Sequence, residues 1–455
     1  MASAAFVTHG SESPGGSGRR KPGARVLEVG FAALLMGAVL ALGSTPDWAT
    51  AALEIGAAAL VLLWVLTRVV AGDELYLHWS PLYPFVIAFA ALIGCQLLFR
   101  LSAYPFVTRV EALRYVAYAL LFFLAQQLLT RTSSVRRFFL AMAWFGFLVA
   151  VEAIAQDFTS HGVIYWHWPK PYSGSVYGPY VDHSHYAGLM EMLWPIPAVL
   201  SLHERGPKAG LYAFFAMLMA ASIVFSRSRG GAVALLIQVV FLVLLSAKRR
   251  RGFALQFAMA LVIGGAFFFW ARPEGTLERL STLTAAHDAA LNGHRLDILR
   301  DSLRMFRERP VAGWGLETFP VVYPKFRSFT STYFINEAHN DYAQVLVGTG
   351  LIGFALVLGF IVSLYRAGFR RMDVDSFRRD ATLIALVGCT GILVHSATDF
   401  NLHIPANAAL FYVYCSIATR PMGFPEYGEP IPPDEPIPPP VELLPPEADD
   451  EPAVE

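Results

Sequence analysis

Charge is what this chain has least of. Asp, Glu, Lys and Arg make up 15% of the 455 residues, hydrophobic types make up 55%, and the formal net charge is +0. A soluble domain carries about a quarter charged residues. With no basic excess, the electrostatic footprint of a nucleic-acid binder is missing. Cysteine is equally scarce. Cys95, Cys389 and Cys415 all fall in apolar runs, which excludes a disulfide framework and gives no metal-ligand spacing; they read as small core residues. No Gly-rich phosphate loop is visible, so no nucleotide or other cofactor is expected. No repeat recurs at a fixed period.

What is present is a series of apolar runs of about 20 residues, the length that crosses a bilayer core. Hydropathy predicts an all-α polytopic membrane protein with about 12 transmembrane helices. They are placed near 26–43, 50–70, 81–99, 112–130, 138–156, 186–202, 209–225, 232–247, 253–271, 342–365, 381–398 and 405–419. Trp48, Trp79, Trp168 and Trp270 fall near the expected interfaces. The first apolar run has the layout of a signal peptide, but the many spans after it make an uncleaved helix the simpler reading. Residues 1–25 and the Pro/Glu-rich residues 421–455 read as disordered tails around a membrane domain at 26–420.

Lys and Arg set the orientation. With the N-terminus inside, twenty fall on the cytoplasmic side. Six fall outside once the long loop at about 272–341, which the rule does not count, is set aside. Both termini are therefore expected in the cytoplasm. The segment 157–185, the turn Ser226–Gly231 and the long loop then share the outer face.

That face collects the reactive residue types. Arg227 and Arg229 sit in Ser226-Arg227-Ser228-Arg229-Gly230-Gly231, where positive charge opposes the inside rule. They read equally as forks for phosphate oxygens or as interfacial arginines touching lipid headgroups. In the loop, Leu296, Leu299, Leu303 and Phe306 have helical spacing, Pro310 ends that helix, and Gly313 and Gly315 turn the chain. Arg295 stands in the first turn, where the helix dipole disfavours a cation. His161, His167, His183 and His185 raise zinc as a reading, but without Cys or HExxH a polar cavity lining is preferred, and no metal is expected. Glu54, Glu152, Glu191, His395 and Asp399 are ionisable residues within or near spans, and Asn401, His403 and Asn407 follow. His339 opens His339-Asn340-Asp341, just before a long apolar run. Its imidazole reads as a general base oriented by Asp341 or Glu337, or as part of a polar cap with Asn340 or Asp341 as the capping residue.

These stretches resemble the O-antigen ligase superfamily: O-antigen ligases, some O-antigen polymerases and protein O-oligosaccharyltransferases. The resemblance rests on Gly178 to Gly188, Ser228-Arg229-Gly230-Gly231, Gly293-His294-Arg295, Arg309 to Gly315, and His339-Asn340-Asp341 with Gly348 and Gly353. It covers about residues 170–365. It implies a GT-C-like, inverting, metal-independent glycosyltransferase in the bacterial inner membrane, with a periplasmic active face. The implied donor is a glycan on undecaprenyl diphosphate, and the acceptor a lipid A-core, a glycan or a protein. By the same resemblance His339 is the base, and Arg229 and Arg295 hold the diphosphate, with Arg227 a second candidate. His185, Asn340, Asp341, Asp399 and His403 are expected to support the site. Asp182 stands where the family often has Asn. A transporter is the rival of another class; it predicts inverted repeats and paired mid-membrane charges.

Overall fold

The computed structural model describes residues 22–72, 77–160, 162–168, 177–246, 294–330, 334–372 and 377–420, all within one unit, Arg20–Pro421. Among them the chain is helical, with isolated bridges at Ile164–Trp168 and Tyr177–Tyr180 and no strand. Six helices are long and apolar enough to cross a bilayer. They are α1 (Pro22–Leu40), α2 (Asp47–Ala71), α5 (Thr132–Thr159), α8 (Pro207–Phe225), α9 (Arg229–Ser246) and α12 (Asp341–Phe369). A shorter apolar helix, α3 (Tyr83–Leu98), joins them. Their exposed sides carry Ile55, Leu62, Ile87, Leu236, Leu244, Leu351 and Leu358. Such a continuous apolar exterior needs lipid as its solvent, so the protein is a multi-pass membrane protein.

Four other helices form a buried layer: α6 (His183–Leu193), α7 (Pro195–His203), α13 (Phe377–His395) and α14 (Pro405–Thr419). The second half of α4 (Pro105–Leu128) joins them, while its first half exposes Phe106, Val110, Leu113 and Val116. The twelve predicted spans therefore do not reappear as twelve long apolar helices. Span 186–202 is split at Trp194 into α6 and α7. Span 381–398 ends as helix at His395. Span 112–130 belongs to a helix that also carries Arg109, Glu111 and Arg114. Hydropathy does not separate a lipid-facing helix from one buried among others, since both are apolar. Span 253–271, with Trp270, lies outside the described residues. Burial lets these short helices hold polar groups. Gln238 of α9 donates to the carbonyls of Glu191 (2.6 Å) and Val387 (2.8 Å) and accepts from the Trp194 indole (2.8 Å). Cys389 and Cys415 are buried as expected, but Cys95 is exposed on α3.

A second cluster packs the loop onto the start of α12: Ile298, Met305, Trp314, Phe319, Tyr323, Ala343 and Val347. The loop contains α10 (Arg295–Glu308) and the short α11 (Phe319–Val322). The expected leucine stripe is not the buried one. Leu296 and Leu303 are exposed, whereas Ile298, Asp301, Ser302 and Met305 face inward. The buried Asp301 carboxylate accounts for the difference: it accepts from Tyr323 (3.2 Å), from the Ser328 amide (2.9 Å) and from its hydroxyl (3.0 Å). A polar residue with three donors is an inward position that a hydrophobic count misses.

Gly350 interrupts α12 with φ 65° and ψ −165°. Four of the freed backbone groups are taken by the loop. Val347 and Gly348 carbonyls accept from Trp314 and Gly315 amides (both 2.9 Å), and Leu351 and Ile352 amides donate to Pro310 (2.8 Å) and Val311 (3.3 Å). Gln96 donates to the Ala312 (2.6 Å) and Gly348 (2.8 Å) carbonyls and accepts from the Leu316 amide (3.2 Å). A Cβ at Gly350 would lie 2.4 Å from the Val311 carbonyl oxygen. Gly350→Ala is therefore expected to destabilise by about 3 kcal/mol or more. A sharp fall in monodisperse yield and melting temperature in detergent is the readout, and a variant as stable as the parent would refute it.

A candidate active site where four helices begin

Four helices start beside one short segment, residues 395–399, which leaves the end of α13. Each N-terminus brings backbone N–H groups that have no partner within the helix ladder, and a partial positive charge. The Ser396 carbonyl accepts from the Asp341 amide at the start of α12 (2.9 Å). The Ala397 carbonyl accepts from the Asn340 side chain (2.8 Å), and the Thr398 carbonyl from Arg295, first residue of α10 (2.8 Å). Ser228, just before α9, lies 3.3 Å from His395 Nε2. It also donates to Ser184 in the first turn of α6 (3.3 Å). Asp182 caps α6 by accepting from the Ser184 amide (2.7 Å); an asparagine side-chain oxygen would do the same.

His339 stands between the start of α12 and this segment. Asn340 is the helix cap, its oxygen accepting from the Ala343 amide (2.9 Å). Neither Asp341 nor Glu337 faces His339, contrary to the sequence reading. Asp341 accepts from His403 Nδ1 (2.5 Å) and from the Leu402 amide (3.1 Å), and Glu337 accepts from Gln344. The carboxylate facing His339 is Asp399, from a different part of the chain. His339 Nδ1 is 3.6 Å from Asp399 Oδ1, an ion-pair separation longer than a hydrogen bond. Arg295 Nη2 is 3.7 Å from the other Asp399 oxygen. The His339 backbone is left-handed, φ 50°, which turns the side chain out of the helix line. Its side chain is 31% exposed and meets the edge of Phe400, ring centroids 5.2 Å apart. His185 packs on Phe400 as well, at 4.6 Å.

Electrostatics follow from this placement. Burial alone would raise the Asp399 carboxyl, but the His339 imidazole, His185 and the Arg295 guanidinium outweigh it and hold the group well below the ordinary carboxylate range. Asp399 is thus a fixed negative charge. It favours the proton on His339 Nδ1 and leaves Nε2 as the lone-pair nitrogen. Asp399→Asn is expected to lower any His339-dependent rate by about 10–100-fold through loss of this orientation. Wild-type kinetics for that variant would remove Asp399 from the site.

Arg227 pairs with Asp157 of α5 at 3.5 Å, and its own φ is 65°. Arg229 is the first residue of α9 and is exposed. Beside the site, Glu317, Glu337 and His403 bring three ligand-type atoms within 4.8 Å, the one such group among the described residues. Burial works against charge on His403, yet Glu317, Asp341 and Glu337 raise it well above its ordinary value. As imidazolium it has no lone pair for a metal. Its stabilising effect is full below the ordinary histidine value and is lost as pH rises through the raised one. Burial, then the neighbouring Glu317, push Glu337 toward its neutral acid. Of the four histidines read for zinc, His161 lies outside the described residues.

The sequence presents Glu191 and His395 only as isolated ionisable groups, and Asp399 as a supporting residue without its pairing to His339; it gives no sign of Gln96, Asp301 or Thr398. The spacing of His395 from Asp399 was the available signal for a shared polar turn.

A model of the O-antigen ligase family matches residues 214–358, a stretch that holds Arg229, Arg295 and His339. No curated protein matches the chain. The match, on a bundle of apolar helices, supports assignment of the protein to the O-antigen ligase superfamily, whose members are membrane glycosyltransferase-like enzymes.

Proposed function

We propose that the protein transfers a glycan from undecaprenyl diphosphate to an acceptor hydroxyl at the periplasmic face of the bacterial inner membrane. The observation that carries this reading is the meeting of four helix N-termini, one of them begun by Arg229, with Arg295, His339 and Asp399 around residues 395–399. Convergent N-termini with arginines attract a polyanion, and a diphosphate is one. His339 then serves as general base. The acceptor oxygen attacks the anomeric carbon, its proton passes to His339 Nε2, and the carbon–oxygen bond to the diphosphate breaks with the electron pair leaving on phosphate. Attack opposite the leaving group inverts the carbon. Arg295 and Arg229 stabilise the charge that builds on the diphosphate. The cationic first turns, unfavourable for the helices themselves, are explained by that demand.

An apolar cavity of about 340 Å³ supports a lipid-linked donor. It is walled by α3, α4, α12 and α14, and runs from Asp341, Tyr342 and His403 toward Phe85 and Phe360. Along α12 that is on the order of 30 Å, the thickness of a hydrocarbon core. A polyprenyl chain would lie there with its head group at the site. About twelve crossings in a GT-C-like arrangement, with both termini cytoplasmic, belong to the same proposal.

Purified protein, lipid-linked glycan and separate lipid A-core, glycan and peptide acceptors provide the test. Label is expected on one acceptor without added nucleotide. A lengthened lipid-linked glycan instead would identify a polymerase, and no transfer to any acceptor would remove the proposal.

A further inference from the structure

The buried pair Glu191–His395 lies outside the stretch that the family model matches and outside the reacting groups just described. The contact is short, and the second Glu191 oxygen is buried without a hydrogen-bond partner among the described residues. His395 Nδ1 is 2.7 Å from Glu191 Oε1, and both side chains are essentially without solvent exposure. On its other nitrogen His395 meets Ser228 at 3.3 Å. Ser228 is the residue before α9, and its hydroxyl accepts from the Gly231 amide (3.1 Å), the bonding of a helix N-cap. Arg229 is the next residue. Gly230 presses on the same imidazole: a Cβ there would lie 2.5 Å from His395 Cδ2 and 2.6 Å from Thr398 Oγ1. His395 is also the last residue of α13, so the carbonyls that receive Asp341, Asn340 and Arg295 follow it directly.

A carboxylate and an imidazole this deeply buried are costly unless their geometry is fixed on every side. Here the two contacts of the imidazole lead to one place. Glu191 sets the ring, the ring sets Ser228, and Ser228 sets the first turn of α9. We propose that Glu191 and His395 are positioning residues that aim Arg229 at the diphosphate subsite. This rests on the proposed function above. Neither residue touches the donor; each acts through Ser228.

The test is steady-state transfer by purified full-length variants, with binding of undecaprenyl diphosphate measured alongside. Ser228→Ala removes the link and should raise the donor KM and the Kd for undecaprenyl diphosphate about five- to tenfold, the size of a lost cap, with kcat nearly kept. Ser228→Thr, which keeps the hydroxyl, should restore both. Because single changes in the buried pair risk misfolding, Glu191→Leu is combined with His395→Phe, which removes both polar groups together. That double variant should show the same KM effect. In an Arg229→Ala background, Ser228→Ala should add nothing, since the two act through one contact. A lower melting temperature with unchanged KM and Kd would overturn the proposal, and so would full additivity with Arg229→Ala. The outcomes stay distinct from the parent reading. Transfer by the wild type that is lost in His339→Ala sustains the function whatever Ser228 does, whereas a wild type that neither transfers nor binds removes both.

Discussion

His339→Ala should reduce glycan transfer by about 10²–10⁴-fold at unchanged protein level, the range a positioned general base supplies. The expectation has three supports. His339 is partly exposed at the site while its Nδ1 faces the buried Asp399 at 3.6 Å. Asp399 stays ionised, held there by His339, His185 and Arg295 against the cost of burial. The imidazole is also excused from helix capping, because Asn340 performs it. Removing the ring therefore should spare the fold and remove the chemistry. The measurement is glycan banding on a gel from a strain whose surface glycan depends on this protein, beside an immunoblot for level. Wild-type banding at normal level would end the base assignment. Full-length lipid-linked glycan that stays unattached would mark a ligase, and short unpolymerised chains a polymerase.

Arg295→Lys should cost about tenfold and Arg295→Ala about 10²–10³-fold, values typical for loss of one charge-stabilising donor. The wild-type fork spans two acceptors. One nitrogen donates to the Thr398 carbonyl at 2.8 Å, and the other lies 3.7 Å from Asp399. A lysine keeps the charge but has no planar fork to hold both while facing a phosphate. Transfer kinetics with saturating acceptor separate the cases. Equal rates for Arg and Lys would mean that charge alone matters here.

Much of this was legible in the chain and some was not, for identifiable reasons. Apolar runs of bilayer length located the six long helices, because lipid leaves no alternative to a continuous apolar exterior. The same runs could not distinguish α6, α13 and α14, which are apolar for a different reason: they are surrounded by protein. The order of the motifs brought Arg229, Arg295 and His339 forward. Their partner Asp399 was visible as a supporting acid near a span end but not as the group facing His339, since a contact between residues 339 and 399 is a product of packing. The carboxylates nearest in sequence, Asp341 and Glu337, were the natural candidates to orient His339, yet they serve His403 and Gln344. Asp301 was hidden for a similar reason. Its burial depends on Tyr323 and Ser328, which lie 22 and 27 residues on.

The break at Gly350 has a mechanical consequence. Because four backbone hydrogen bonds join residues 310–315 to the open turn of α12, the loop is spliced into the helix. It cannot lift away like a hinged flap without unpicking the helix itself. The two travel as one rigid lever, and His339 at the helix mouth travels with them. The depth of the imidazole relative to the bilayer is then set by the anchoring of α12 in lipid. A lipid-borne substrate, whose head group is held at a fixed height, would meet a base held to the same datum.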